Sequence, residues 1–172
     1  YVEAHNNLGV TLNKMGRFDE AAVSCRQAMV LEPDYAEAHN NFGITLHELG
    51  RLDEALASYN QAIALKPDYA EALNNLGVTL NELGQFKDAE ASYNQAIALN
   101  PDYADAFWNL HGVQKTIKDG EYWIDKCLEA DENHLKASLT KVALRFYQGD
   151  KNNFDELMQS ELERHPYTRS FA

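Results

Sequence analysis

Asparagine pairs recur at Asn6-Asn7, Asn40-Asn41 and Asn74-Asn75, 34 residues apart, inside otherwise apolar-striped segments such as "KPDYAEALNNLGVTL". Asparagine is a mediocre helix former because its amide competes for backbone groups, so a pair at mid-helix asks for a role. One carboxamide carries both a donor and an acceptor and can satisfy the N–H and the C=O of an extended main chain. That is chemistry for holding a ligand rather than for breaking its bonds. The sequence has no HExxH, GxSxG, P-loop or GxGxxG segment, and no acid, base and nucleophile group together, so an enzyme is not expected. Cys25 and Cys127 show neither a CxxC nor a zinc-type His/Cys spacing, which predicts reduced thiols, no metal and no cofactor.

The same period defines the elements that must present these amides. Pro33, Pro67 and Pro101 are spaced by 34, as are Gly16, Gly50 and Gly84, and Ala21, Ala55 and Ala89. Three near-copies run from Val2 to Tyr35, Ala36 to Tyr69 and Ala70 to Tyr103. In the second copy, "AEAHNNFGITLHELG" has apolar residues at helical spacing and ends on Gly50, suited to a left-handed C′ position. "RLDEALASYNQAIALKP" then offers Asp53 as a helix start and Pro67 as a stop. Each copy therefore reads as a helical hairpin. Helices roughly 20 Å long do not stand alone, so successive hairpins must stack to bury their faces.

These residues resemble the tetratricopeptide repeat, with its pattern W-x₂-L-G-x₂-Y, then A-x₃-F, then P. His39, Phe42, Gly43, Leu46, Ala55, Tyr59 and Pro67 fall on those slots in the second copy. The first matches through Leu8, Gly9, Ala21, Cys25 and Pro33, and the third through Leu76, Gly77, Ala89, Tyr93 and Pro101. The resemblance implies an all-α, right-handed solenoid of stacked hairpins, a superhelix. After Tyr103 the pattern decays: His111 replaces the repeat glycine and the second helix of this copy reads as cut short. Gly149 and Pro166, each 65 residues beyond Gly84 and Pro101, restore the register. The expected organisation is three regular repeats over 1–103, a shortened fourth over 104–134, and a divergent fifth with the start of a further element over 135–172. The chain is expected to be part of a longer protein.

With each copy numbered from its first helical residue, positions 3, 4, 7, 8 and 11 form a packed stripe and positions 2, 5, 6, 9, 12 and 13 the opposite face. The resemblance makes that opposite face a concave groove. Position 6 holds Asn7, Asn41, Asn75 and Asn109; position 5 holds Asn6, Asn40, Asn74 and then Trp108; position 9 holds Val10, Ile44 and Val78. Position 6 is similar to the asparagine ladder of O-linked N-acetylglucosamine transferases, which implies a peptide-binding role. The same amides could instead bond adjacent turns between repeats. Position 2 is acidic throughout, with Glu3, Glu37, Glu71 and Asp105; Asp34, Asp68 and Asp102 stand three residues before the last three and suggest a capping box at each of those first helices. Together with Glu48 and Glu82 at position 13, this row disfavours acidic ligands. The family's clamp for a C-terminal carboxylate needs cations in slots held here by Asn6, Glu71 and Asn75, so a chaperone tail is not expected. His5 and His39 read as packing residues, His47 as either a groove contact or a solvated surface residue, and Trp108 as either a ligand platform or a packed ring.

The net charge of −12 repels phosphate and favours a neutral or basic partner over nucleic acid. It argues likewise against the RNA-reading pentatricopeptide repeat, whose period is similar. Residues 1–102 carry 6 Lys/Arg against 15 Asp/Glu, and residues 103–172 carry 9 against 12, so the acidity concentrates in the regular copies. No apolar run approaches the roughly 18 residues that a membrane span needs, and the N-terminal "YVEAHNNLGV" lacks signal-peptide character, which predicts a soluble cytoplasmic protein. The leading expectation is a non-catalytic scaffold that binds an extended protein or peptide segment. The alternative is a substrate-recruiting or oligomerising segment of a larger bacterial glycosyltransferase, sulfotransferase or methyltransferase. Self-association through the repeat ends is a third expectation.

Overall fold

The computed structural model describes residues 1–114, 117–148 and 154–164. Among them are ten helices and no strand: α1 (Val2–Lys14), α2 (Phe18–Leu31), α3 (Ala36–Glu48), α4 (Leu52–Leu65), α5 (Ala70–Glu82), α6 (Phe86–Leu99), α7 (Ala104–Gly112), α8 (Ile117–Ala130), α9 (Leu135–Tyr147) and α10 (Phe154–Arg164). They fall into two compact units, Tyr1–Leu99 and Asn100–Ala172. No described helix is long and apolar enough to cross a membrane.

The turn inside each hairpin of the first unit follows from its glycine. Gly16, Gly50 and Gly84 take φ of +71°, +71° and +73°, a left-handed conformation that costs a residue with a Cβ about 1–2 kcal/mol. The N–H groups after the turn then reach back to the helix, Gly50 to the His47 carbonyl and Arg51 to that of Leu46, both at 2.8 Å. Arg51 is the N-cap of α4, and its guanidinium grips Glu54 through two hydrogen bonds of 2.7 and 2.6 Å. The helix thus starts at Leu52, and Asp53 lies in its first turn rather than at its cap. The capping boxes expected at the first helices do not form. Tyr35, Tyr69 and Tyr103 are the N-caps, with no side-chain cap bond, because the helices begin one residue beyond the position that would make the aspartates their caps.

Small residues set the spacing of the helices. Ala21, Ala55 and Ala89 are fully buried, as are Ala28, Ala62 and Ala96. At Gly43 an added Cβ would meet the Tyr59 ring at 2.6 Å, and at Gly77 the Tyr93 ring at 2.5 Å, so each first helix rests directly on a buried tyrosine of its partner. The hairpins α1–α2, α3–α4 and α5–α6 stack through α2 on α3 and α4 on α5. First helices also touch one another, α1 against α3 and α3 against α5, with no comparable contact joining α2, α4 and α6. A row whose first helices approach more closely than its second helices curves with the first helices inside. The face made by α1, α3 and α5 is therefore the inner face of this unit.

In the second unit α7 pairs with α8, α8 with α9 and α9 with α10. The shortening expected in the second helix of the fourth copy lies instead in its first helix. α7 has 9 residues against 13 in α1, α3 and α5, while α8 keeps the full 14. The slot that Leu46 and Leu80 fill in the core is Gln114 here, so a fourth turn would bury nothing apolar. Its amide instead turns back to the Leu110 carbonyl at 3.1 Å. His111, standing where the regular copies have glycine, is accommodated by Gly120 on α8, where those copies have a buried alanine. Gly149 and Pro166, which carried the return of the register, lie outside the described residues.

Candidate functional site

The inner face of the first unit carries the asparagine pairs, and packing divides each pair into two kinds of amide. Asn6, Asn40 and Asn74, at position 5, are 5%, 0% and 6% exposed. Asn41 and Asn75 are half-buried and Asn7 is exposed. Asn41 Nδ2 donates to Asn6 Oδ1 at 2.8 Å, and Asn75 Nδ2 donates to Asn40 Oδ1 at 3.1 Å. Asn40 in turn donates to Glu71 Oε1 at 3.4 Å. The amides are therefore linked from repeat to repeat: each of these two position-6 side chains is held by the position-5 side chain of the preceding hairpin. This uses one N–H of Asn41 and of Asn75. Their Oδ1 atoms have no protein donor among the described residues.

Beneath these amides lies a row of hydroxyls that the residue types alone did not single out. Thr45 and Thr79 are fully buried, and each donates to the carbonyl four residues back, Asn41 O at 2.8 Å and Asn75 O at 3.1 Å. Tyr59 stands beside Thr79, whose hydroxyl favours the ionised form of the phenol against burial. In the first copy Cys25 takes the tyrosine's place beside Thr45, and Asn13 adds a donor, its Nδ2 reaching Thr45 Oγ1 at 2.8 Å. The recurrence of Thr11, Thr45 and Thr79 at the repeat period was the signal that would have found them.

Val10, Ile44 and Val78 are all half-buried. Ile44 and Val78 line a cleft of about 170 Å³ between α3 and α5 together with His47, Glu48, Tyr59 and Asn75. His47 is not the solvated residue that its position suggested. Its side chain is 19% exposed, and Nε2 lies 3.1 Å from Glu82 Oε1, close enough to pair as charges but outside hydrogen-bond alignment. Burial raises the Tyr59 hydroxyl well above the usual tyrosine pKa against the opposing influence of Thr79, and the carboxylates of Glu48, Glu71 and Glu82 raise it further. Glu37 is paired with Lys66 Nζ at 3.2 Å, and the same ammonium lies 4.7 Å from the centre of the Tyr69 ring. His5 and His39 are half-buried as packing residues, and His39 Nε2 lies 2.8 Å from the Pro33 carbonyl oxygen.

In the second unit Asn109 and Trp108 are half-buried on α7. Trp108 is flanked by His111, 5.3 Å between ring centres, and by His134 at 5.5 Å. His134 Nε2 is 3.4 Å from Asp105 Oδ1. The His111 ring faces the Gly120 carbonyl, with Nδ1 3.1 Å from its oxygen, and burial outweighs that bond to lower the His111 pKa. Cys25 and Cys127 are buried free thiols; burial, reinforced by Asp105 and Asp131, pushes Cys127 up to about 12, so it is not an activated nucleophile. No group of three or more His, Cys, Asp or Glu arranged to hold a metal occurs among the described residues.

Family models described as the tetratricopeptide repeat match residues 2–35 and 70–103, and residues 24–57; one described as TPR repeat matches residues 43–84. No curated protein matches the sequence. Among solved structures, PilF of Pseudomonas aeruginosa is similar at a TM-score of 0.82 and 23% identity, over 93% of this chain and 76% of that one. A thermophilic TPR protein of Thermus thermophilus is similar at a TM-score of 0.80 and 21% identity, over 96% and 92% of the two chains. The first TPR of Spaghetti (RPAP3), bound to the HSP90 peptide SRMEEVD, is similar at a TM-score of 0.63 and 22% identity, over 65% of this chain and 89% of that one.

Proposed function

The chain belongs to the tetratricopeptide repeat family, and from that premise we propose that its first unit is a non-catalytic scaffold whose inner face holds an extended peptide or protein segment. The position-6 amides, Asn7, Asn41 and Asn75, contact the ligand main chain, and Val10, Ile44 and Val78 receive side chains beside them. The observation that carries this reading is the way Asn41 and Asn75 are held. Each is fixed through one N–H by the amide behind it, which removes rotamer freedom in advance, while an acceptor oxygen stays available. Asn6, Asn40 and Asn74, being buried, act as the positioning row. An acidic segment such as SRMEEVD, the peptide bound by the Spaghetti domain, meets like charge here from Glu3, Glu48, Glu71 and Glu82.

Selection from a displayed library of random twelve-residue peptides tests this. The wild-type chain is expected to enrich binders. Changing Asn7, Asn41 and Asn75 together to Ala is expected to weaken those binders about tenfold or more whatever their sequence, since the lost bonds are to main chain. Asn60→Ala and Asn94→Ala, at exposed sites on second helices, are the controls. Equal affinity for the triple variant and the wild type overturns the role assigned to the amides.

A further inference from the structure

The three copies are near-identical, so a ligand held by its main chain alone would slide by whole repeats. The cleft between α3 and α5 breaks that degeneracy. It has apolar sides, Ile44 and Val78, and a buried aromatic, Tyr59, with the Asn75 amide on the α5 side. Glu48 lines it, and Glu82, the last residue of α5, lies at the His47 edge with its side chain 49% exposed. Glu48 has no ion-pair partner among the described residues, and Glu82 has only His47. The elevated pKa of Tyr59, raised first by burial, also registers Glu48, Glu71 and Glu82 acting together at this point.

The equivalent place one repeat earlier keeps the apolar sides and the amide, as Val10, Ile44 and Asn41, but differs at three positions. Stepping back by 34 turns Glu48 into Lys14, His47 into Asn13 and Tyr59 into Cys25. The sign of the position-13 charge is reversed, and the Asn13 amide bridges to Thr45. Within the first unit a cationic side chain is therefore favoured between α3 and α5 over the equivalent place between α1 and α3.

We propose that the α3–α5 cleft is a side-chain pocket for one lysine or arginine of the bound segment, and that this residue sets the register of the ligand along the asparagine row. The proposal rests on the groove reading above. A long cationic side chain fits both halves of the site: its methylene stem lies against Ile44 and Val78, and its charged end reaches the two carboxylates. An acidic or short polar side chain gains neither.

The test uses the same displayed library on three forms of the intact chain: wild type, Glu48→Gln with Glu82→Gln, and Glu48→Lys. Both glutamates are exposed, and thermal melts establish that the variants remain folded. Wild-type binders are expected to share one Lys or Arg position. Replacing that residue by norleucine is expected to weaken binding of the labelled peptide about five- to tenfold to the wild type and less than about twofold to the double variant. Glu48→Lys is expected to abolish the preference. Binders without a shared cation, or a cation preference equally strong in the double variant, overturn the pocket and leave the groove reading standing. Failure of the wild-type chain to enrich any peptide overturns both.

Discussion

Asn40 and Asn41 are neighbours in sequence with different work to do, and truncation should separate them. Asn40 is fully buried, accepts from Asn75 and donates to Glu71, so Asn40→Ala removes a buried amide from the bonds on either side of it. Urea unfolding is expected to show a loss of about 1–3 kcal/mol for Asn40→Ala and less than about 1 kcal/mol for Asn41→Ala, which breaks one partly exposed bond. A second residue-level prediction concerns Cys25. Cys25→Tyr alone brings a ring towards Thr45, whose hydroxyl Asn13 already occupies, and is expected to cost about 1–3 kcal/mol. Combined with Asn13→Ala it recreates the Tyr59–Thr79 pairing of the second copy, and most of the loss is expected to be recovered. The sequence made the asparagines visible through their period. It did not reveal which amide of each pair turns inward, because that depends on how the next hairpin stacks, α3 on α2 and α5 on α4.

Hairpins were legible because each is local: a stripe of apolar residues, a glycine that tolerates positive φ, a second stripe and a proline. The fourth hairpin was less legible because its missing residues belong to the first helix, not the second. Gln114 in a core leucine slot, rather than anything in α8, ends the first helix early. Its packing exchanges sizes across the helix pair. A Cβ on Gly120 would stand 2.7 Å from His111 Nδ1, and that ring is tied to the Gly120 carbonyl, so it cannot swing aside freely. Gly120→Ala is expected to cost about 1–3 kcal/mol, and adding His111→Gly is expected to restore part of it, which a double-mutant cycle measures. Both tryptophans of the chain, Trp108 and Trp123, belong to this unit, so their fluorescence reports its unfolding. Burial lowers the His111 pKa, so below the usual value of about 6.5 the unfolded chain takes up a proton that the folded chain resists. Stability from this residue is therefore full above about pH 6.5 and is lost as pH falls through the folded pKa. Fluorescence-detected melts at about pH 7 and about pH 5 are expected to differ more for the wild type than for His111→Gln.

For the molecule as a whole, acidity and repetition act together. A net charge of −12 is carried mainly by the regular copies, where position-2 and position-13 carboxylates border a central row of neutral amides. In the function proposed above, such a surface would draw in a basic segment at long range and hold its main chain at short range, with affinity from the repeat and selectivity from where the repeat is broken. The sequence conveyed the repeat and the charge; the cleft formed by Ile44, His47, Glu48 and Asn75 needed coordinates, because its walls come from two copies. The most direct measurement is an NMR titration of the ¹⁵N-labelled chain with a library-selected peptide, following the side-chain amide signals of the asparagines. The signals of Asn7, Asn41 and Asn75 are expected to shift together and saturate with the peptide, while those of Asn60 and Asn94 on the second helices stay in place. Saturable binding that moves Asn60 and Asn94 and leaves Asn41 and Asn75 unchanged would contradict the role assigned to the amides.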